Sequence, residues 1–280
     1  MKRKNRSLQI SCDGGAATGK STGAKMIAKK FKLKFLSSGL LYRYASYLIL
    51  KFKPKNKLQF LKVKFKKLNY RRLEKINLHK PEVSEYSSII AKNSEVRKIL
   101  KNFQILFSKK NINCCIEGRD ISTKILPGSD VKFFFKCNLN TAAIRRFKEI
   151  KKRNKKIKFQ EVKKALRIRN FQDINRKNSP LLKHRDAIEI DTGKLNKRAM
   201  LAKMSKYVES AVKKKNNKTK LKDVKKALRI RNNHDIKRKN SPLLKHRDAI
   251  EIDTGKLNKQ AMMVKMSKYL DKVIKSKYGN

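Results

Sequence analysis

The sequence predicts an α/β fold in which helices cover both faces of a parallel five-stranded sheet. Short apolar segments alternate with longer segments of helical periodicity, which is typical of strands joined by crossover helices. The run from Val131 to Phe135 is rich in Phe, as in a strand buried on both faces. A Gly-rich loop follows the first predicted strand. When the second copy of an internal repeat, described below, is set aside, roughly 215 residues remain. This length is enough for one domain of this class.

Each predicted element rests on a local pattern. The strands are short apolar runs, expected at residues 8–12, 35–36, 112–116, 131–135 and 187–190. The helices follow apolar residues at helical spacing, and they are expected at 19–31, 39–50, two within 83–109, 141–152, 159–171 and 195–212. The pair within 83–109 separates near Asn93, with Ser94 as the predicted N-cap. Residues 51–80 are Lys-rich and show no clear period.

A segment near the C-terminus occurs twice in tandem, with a period of 62 residues. Residues 161–207 and 223–269 are identical at 40 of 47 positions. Two copies are too few for a solenoid, which needs several stacked units. We therefore predict a domain of residues 1–215, followed by residues 216–280 as a duplicate of residues about 154–218.

Only one copy of the repeated strand can occupy its place in the sheet. We expect the first copy there, because its shorter connection costs less entropy to close. It also retains Phe159 and Phe171, where the second copy has Leu221 and Asn233. The other copy could pack as an appendage, exchange with a second chain by domain swapping, or stay partly disordered. A monomer is expected, with a domain-swapped dimer as the alternative.

The chain is strongly basic, with 77 Lys and Arg against 21 Asp and Glu and a net charge of +56. Such a charge attracts polyanions, and it would also favour phosphate-bearing substrates. The basic residues are spread along the whole chain without zinc-finger spacing or an RNP-like motif, so nucleic acid is expected to bind only non-specifically. No signal peptide, membrane span or metal-ligand spacing of the four cysteines is evident, and a cytoplasmic location is expected.

The Gly-rich loop carries the most specific motif of the chain. Gly14 to Ser21 fits the phosphate-loop pattern GxxxxGK[ST] between a predicted strand and a predicted helix. In such a loop, Lys20 contacts the β- and γ-phosphates and Ser21 meets magnesium bound with the nucleotide. The alternative is a Gly-rich turn without a ligand. The predicted contacts to ATP and magnesium come from Gly14, Gly15, Ala16, Ala17, Thr18, Gly19, Lys20, Ser21 and Thr22.

Further motifs resemble those of the bacterial cytidylate kinases, nucleoside monophosphate kinases with a phosphate loop. The motifs are Asp13-Gly14 with the loop, Ser38-Gly39-Leu40-Leu41-Tyr42-Arg43, Val96-Arg97, Glu117-Gly118-Arg119-Asp120, and Arg169-x3-Asp173-x2-Arg176-x3-Pro180-Leu181. Their order after a phosphate loop is specific to that family, and the resemblance extends through residue 212. Taken singly, each residue has a simpler explanation; Asp120, for example, could be a helix cap.

The resemblance implies transfer of the γ-phosphoryl group of ATP to CMP or dCMP with magnesium. It places cytosine against Ser38, Arg97 and Asp120, whose hydrogen-bonding groups complement that base. It places the nucleotide phosphate against Arg43, Arg119 and Arg176, and the sugar against Ser88, Arg169 and Asp173. Phosphoryl transfer itself would depend on Lys20, Arg119, Arg169 and Arg176. The family's lid corresponds to residues about 150–180.

Three features depart from the family pattern. Ser37 stands where the family usually carries Asp, and Ser122 replaces the usual Gly. The CMP-binding insert, residues 51–92, is reduced, and its part up to Lys80 is more basic than in the family. Two alternatives follow: a related kinase with relaxed preference among nucleoside monophosphates, and a non-catalytic, basic protein that binds nucleic acid.

Overall fold

The structure, a computed structural model, describes residues 7–152, 154–238, 242–245, 247 and 249–279. The chain divides into two compact units, residues 1–217 and 218–280. Within the described residues, none of the helices has the length and apolarity needed to span a membrane.

The first unit is built on a five-stranded sheet in which all neighbouring strands are parallel. The spatial order is β2-β3-β1-β4-β5, so β1 lies in the centre and every connection is a crossover. This matches the predicted α/β class. The strands are β1 Leu8–Gly14, β2 Lys34–Ser37, β3 Asn113–Gly118, β4 Val131–Lys136 and β5 Ile188–Asp191.

Helices connect these strands and cover both faces of the sheet. In the first unit they are α1 Lys20–Lys30, α2 Ser38–Phe52, α3 Lys57–Lys66, α4 Pro81–Ile90, α5 Ser94–Lys110, α6 Leu139–Lys151, α7 Phe159–Asn175 and the part of α8 up to residue 217. The whole of α8 is Lys197–Lys237, and α9 Lys259–Tyr278 belongs to the second unit. A 3-10 helix at Tyr70–Lys75 and a π-helical turn at Ile121–Ile125 complete the set. The segment 51–80, which showed no clear period, is therefore largely helical. The N-cap of α5 is Asn93, whose side chain accepts from Val96 N, and the prediction of Ser94 was wrong by one residue.

Two apolar layers enclose the sheet, and adjacent residues of β3 face opposite layers. Cys114 belongs to the layer formed with α2, α3 and α5, in which Leu41, Leu61 and Leu100 are fully buried. Cys115 belongs to the layer formed with α1 and α8. The alternation of side chains along a strand explains this split. A third, smaller cluster joins α6 to α7 through Ala143, Leu166 and a perpendicular ring contact between Phe147 and Phe159.

The last strand of the sheet comes from the first copy of the repeat. Residues Ile188–Asp191 pair with β4, and Phe135 lies opposite Ile190. The equivalent residues of the second copy, 250–253, are described and form no strand. The helix predicted to end at Val212 instead continues to Lys237, because no Gly or Pro interrupts the sequence where the copies join.

Gly14 is expected to be irreplaceable for folding. Its φ of 151° is one that residues with a side chain rarely adopt, and a Cβ there would collide with the carbonyl oxygen of Phe135. We expect Gly14→Ala to lower the free energy of unfolding by about 3 kcal/mol or more, measured by urea denaturation. The control is Gly128→Ala, because a Cβ at this exposed glycine meets no atom within 4 Å. Equal stabilities of the two variants would contradict this account of the loop.

Candidate active site

The phosphate loop lies where β1 ends and α1 begins, at the carboxyl edge of the sheet. Gly19 precedes α1 with φ 77°, a left-handed conformation that suits glycine, and Ala17 is also left-handed at φ 55°. The loop closes on itself through a hydrogen bond from Thr18 Oγ1 to Gly15 O at 3.0 Å. Because it leads directly into a helix, its N–H groups and the positive end of the helix dipole are suited to a phosphate.

Contacts from distant parts of the first unit hold this loop in place. Thr192, just after β5, donates to Thr18 O at 2.8 Å. Arg145 on α6 in turn donates to both oxygens of Thr192, at 2.8 and 2.7 Å. Asn170 on α7 accepts from Ala16 N at 3.2 Å. The loop is thus connected to the end of the last strand, to α6 through Thr192, and to α7, the helix of the predicted lid region.

Lys20 is buried at the first position of α1, and its ammonium group lies 2.6 Å from a carboxylate oxygen of Glu117. The other oxygen of Glu117 accepts from Ser37 Oγ at 2.5 Å. Burial acts to raise the pKa of Glu117, but the charge and hydrogen bond of Lys20, with that of Ser37, outweigh it and hold the pKa below its ordinary value. Burial lowers the pKa of Lys20, and the charge of Glu117 opposes that shift. The short contact with Glu117 holds Lys20 at the mouth of the phosphate loop.

Asp13 fixes the turn that follows β3. Its buried carboxylate accepts from Ile121 N at 2.8 Å, from Ser122 N at 2.7 Å and from Ser122 Oγ at 2.6 Å. Burial raises the pKa of Asp13, and the hydrogen bonds from Ser122 and Ile121 oppose that shift. Ser122, one of the departures from the family pattern, thus adds a donor here. The turn presents Arg119 and Asp120 to a cavity that the phosphate loop also lines.

Arg97 and Asp120 form a buried ion pair on the side of the cavity away from the phosphate loop. Arg97 Nη2 lies 2.6 Å from Asp120 Oδ2, and Arg97 Nη1 donates to Ala91 O at 3.3 Å. The guanidinium lies 5.8 Å from the ring centre of Tyr42. Burial raises the pKa of Tyr42 to about 12, so its hydroxyl stays protonated. This wall offers a charged donor, a charged acceptor and an aromatic ring, which suits a planar polar ligand.

Arginines crowd the centre of the cavity around one carboxylate, that of Asp173. Arg119 Nε donates to Asp173 Oδ2 at 2.8 Å, and Arg176 Nη1 lies 3.5 Å from Asp173 Oδ1. Burial acts to raise the pKa of Asp173, but Arg119 outweighs it and lowers that pKa. Desolvation, followed by repulsion from Arg119, lowers the pKa of Arg169 to about 10. The site therefore holds more positive charge than its own carboxylates neutralise.

Arg176 carries a donor that the described residues do not use. Its Nε donates to Ser179 O at 2.5 Å, whereas its buried Nη2 has no hydrogen-bond partner among them. The nearest acceptor charge, Asp120 Oδ1, lies 3.9 Å from this nitrogen, beyond hydrogen-bond reach. A buried guanidinium nitrogen is rarely left unpaired, so this donor is suited to an anionic ligand.

Arg43 and Ser88 lie on the rim formed by the insert. Arg43 Nη1 donates to Leu78 O at 3.3 Å and to Ser84 Oγ at 3.0 Å, and it lies 2.9 Å from His79 Nδ1. Ser88 Oγ donates to Ser84 O at 3.4 Å. Arg43 is thereby directed by α4, an element of the reduced insert.

One cavity of about 690 Å³ brings the predicted residues together. Gly14, the last residue of β1, is the one predicted residue that does not line this cavity. The lining includes Gly15, Ala16, Ala17, Thr18, Gly19, Lys20, Ser21, Thr22, Ser38, Arg43, Ser88, Arg97, Arg119, Asp120, Arg169, Asp173 and Arg176. Among the residues that the structure describes, no group of three His, Cys, Asp or Glu side chains could hold a metal ion. The exposed hydroxyl of Ser21 is a hard oxygen ligand that fits magnesium bound with nucleotide phosphates.

Several residues of the cavity received no role from the sequence. Glu117 stands inside a recognised motif, but its pairing with Lys20, 97 positions away, leaves no local signal. The same holds for Thr192, which contacts Thr18 of the loop from 174 positions away, and for Arg145, which contacts Thr192 from 47 positions away. The usable hint was that Thr192 is a polar residue two positions after a predicted strand, because strand ends meet at one edge of a parallel sheet.

Comparison with known proteins gives a consistent result. A family model described as cytidylate kinase matches residues 10–210. The cytidylate kinase of Clostridium tetani is 34% identical over 218 residues, covering 72% of this chain and 94% of that protein. Its counterpart in Bartonella tribocorum is 34% identical over 209 residues, covering 73% and 95%. That of Flavobacterium johnsoniae is 32% identical over 231 residues, covering 74% and 98%.

The matched region contains the phosphate loop, the buried Arg97–Asp120 pair and the arginine cluster around Asp173. It ends before residue 218, where the second unit begins. On the family model and these relatives together, the chain belongs to the cytidylate kinase family.

Proposed function

We propose that this chain transfers the γ-phosphoryl group of ATP to CMP or dCMP, with magnesium, in the cytoplasm. An oxygen of the monophosphate attacks the γ-phosphorus, the bond to the β-phosphate oxygen breaks, and ADP leaves with CDP or dCDP as the second product. The observation that carries the proposal is the single cavity that joins a phosphate loop, an arginine cluster and a buried Arg97–Asp120 pair. The phosphate loop thus offers a site for the phosphates of ATP, the arginine cluster a site for the monophosphate, and the Arg97–Asp120 pair a site for a base.

The ATP side of the cavity is formed by the phosphate loop, residues 14–22. Backbone N–H groups at the start of α1 would bind the phosphates, and Lys20 would move from Glu117 to the β- and γ-phosphates. Glu117 then serves as the resting counter-ion that keeps Lys20 charged and directed into the cavity. Magnesium bound with ATP at Ser21 would neutralise charge that develops on the phosphates.

The base side explains a preference for cytosine. Its exocyclic amine requires an acceptor, which Asp120 and Ser38 provide, and its ring nitrogen and carbonyl require donors, which Arg97 provides. Uracil replaces the amine with a carbonyl and would place it against the carboxylate of Asp120. Because the Arg97–Asp120 pair is buried, such a mismatch leaves groups without hydrogen bonds and is heavily penalised.

The arginines between these two sides would bind the phosphates that react. Arg43, Arg119 and Arg176 face the monophosphate in this proposal, while Arg169 and Asp173, with Ser88, face the sugar. Excess positive charge in the site is relieved when phosphate enters, and it is relieved further as charge develops during transfer. Residues about 150–180 act as the lid, and Asn170 already contacts Ala16 of the loop.

The nucleotide preference is tested by coupled measurement of ADP release with ATP and magnesium. We expect turnover with CMP and dCMP and at least 100-fold lower kcat/KM with UMP and AMP, because these bases do not complement Arg97 and Asp120. Comparable rates with all four would indicate a kinase of relaxed preference. No turnover with any of them, in protein shown to be folded, would overturn the proposal in favour of a non-catalytic role such as nucleic-acid binding.

Replacing Lys20 is expected to affect transfer far more than the binding of CMP. Lys20→Ala removes the ammonium group from the phosphates, and we expect kcat to fall about 100-fold or more while the Kd for CMP changes little. Lys29→Ala removes an exposed charge from the same helix and is the control. Because Glu117 is left buried without its partner, circular dichroism must show that the variant is folded. Wild-type kcat in folded Lys20→Ala would disprove the role of Lys20.

Replacing Asp120 is expected to change base preference. Asp120→Asn keeps the shape of the side chain but puts a donor where cytosine needs an acceptor and uracil can accept. We expect the ratio of kcat/KM for CMP to that for UMP to fall at least tenfold. Asp186→Asn, which alters an exposed carboxylate outside the cavity lining, is the matched control. An unchanged ratio would show that Asp120 does not contact the base.

A further inference from the structure

The two copies of the repeat are nearly identical in sequence but differ in burial. In the first copy, several apolar side chains are buried by the sheet or by α6, whereas the equivalent side chains of the second copy are exposed. The buried set is Val162, Leu166, Met204 and Val208, each at most 4% exposed, and its counterparts Val224, Leu228, Met266 and Leu270 are 54%, 53%, 42% and 59% exposed. The second copy thus has the apolar side chains that bury the first copy against the sheet and α6, but its own are exposed.

The second copy also keeps the polar residues that the first copy contributes to the cavity. Every residue of this kind discussed above has an identical counterpart 62 positions later. The counterparts of Arg169, Asn170, Asp173, Arg176 and Thr192 are Arg231, Asn232, Asp235, Arg238 and Thr254. A segment with these side chains has what is needed to form the same contacts with residues 7–152.

We propose that the second copy replaces the first copy in the same molecule, so that the domain has two interchangeable C-terminal segments. In the alternative state, residues 250–253 pair with β4, and Arg231, Asp235 and Arg238 enter the cavity. The first copy is then the exposed segment. The folding part of this proposal stands apart from the catalytic function; only its consequence for activity rests on the proposed function.

Exchange within one chain is favoured over exchange between chains. Each chain has one position beside β4 and two copies that fit it. Two chains that swap segments therefore fill the same number of positions as two chains that do not. Association would still cost translational and rotational freedom. At protein concentrations too low to offset that loss, the segment that replaces the first copy is therefore the second copy of the same chain.

The first copy remains the major occupant for two reasons. Its connection from the end of α6 to the start of the segment is roughly 8 residues, against roughly 70 for the second copy, which disfavours the second copy about 25-fold. The second copy also has Leu221 in place of Phe159 and so lacks the ring contact with Phe147. We therefore expect the alternative state in about one molecule in a hundred.

A native cysteine allows this minor state to be trapped. A Cβ built at Gly193 lies 3.7 Å from Cβ of Cys137, within the range found in disulfides. Neither Gly193 nor its counterpart Gly255 has a positive φ. The tightest contact of a Cβ at either position is 3.2 Å, to a carboxylate oxygen of Asp191 or Asp253, so a small shift of that side chain admits the cysteine. In the full chain, Gly193→Cys is expected to form a disulfide with Cys137 quickly. Gly255→Cys is expected to form one slowly, because it can do so only while the second copy occupies the sheet.

The experiment exposes both variants, and Gly128→Cys as a control without neighbours, to a mild oxidant. Peptide mapping identifies the linked cysteines, and a non-reducing gel separates monomers from linked dimers. A link from position 255 to Cys137 in monomers, formed at about one hundredth of the rate seen with Gly193→Cys, supports the proposal. No such link, or a rate no greater than with Gly128→Cys, overturns it. A link found only in dimers also overturns it, because exchange would then occur between chains.

A second measurement tests the exchange without cysteines. Ile190 is fully buried in β5, and Ile190→Asp should expel the first copy from the sheet. In the full chain, we expect Ile190→Asp to keep a cooperative thermal transition, because the second copy takes the vacant place. Adding Ile252→Asp should abolish that transition. Equal behaviour of the single and double variants would overturn the proposal. Loss of turnover with the transition retained would count against the catalytic competence of the second copy, not against the exchange.

Discussion

The buried ion pair between Lys20 and Glu117 is the interaction on which the arrangement of the site depends. It connects the first turn of α1 to the carboxyl end of β3, and Ser37 at the end of β2 completes it. Three neighbouring segments of the sheet edge are thereby held in one geometry. Breaking a buried pair of this kind by removing one partner typically costs about 3–5 kcal/mol, whereas an exposed pair contributes little. The phosphate loop therefore has its lysine oriented before any ligand arrives.

The arginine cluster shows the opposite electrostatic balance. Lys20 has one carboxylate, but Arg119, Arg169 and Arg176 share Asp173 and, at a distance, Asp120. Desolvation is the main cause that lowers the pKa of Arg169 and Arg176, and repulsion adds to it, from Arg119 on Arg169 and from Arg97 on Arg176. Such strain is tolerated because strong contacts elsewhere, including the Arg97–Asp120 pair and the hydrogen bonds of Asp13, fix the surrounding backbone. The surplus of donors is what an anionic substrate requires.

Much of the fold could be predicted from local sequence, and the deviations have physical causes. The five strands were located because buried parallel strands are apolar runs, but β1 and β3 extend further, through Asp13–Gly14 and Glu117–Gly118. These polar residues are buried at the strand ends and look like loop in the sequence. The end of α8 was missed because nothing in the sequence stops a helix there. In the site, motif residues were predicted to converge, whereas the pairing of Glu117 with Lys20 and the contacts of Thr192 and Asn170 connect distant positions and leave no periodic pattern.

The Nη2 of Arg176 has no hydrogen-bond partner among the described residues, and together with the crowded guanidinium groups beside it, it also bears on how long the protein survives in a cell. A ligand that binds only the folded state stabilises it in proportion to the logarithm of its concentration above Kd. Here the ligand would also relieve repulsion that is present in the empty site. Degradation by proteases that act on opened molecules would then slow when nucleotides are abundant and accelerate when they are scarce. The same charge surplus would thus link the abundance of the enzyme to the supply of its substrates.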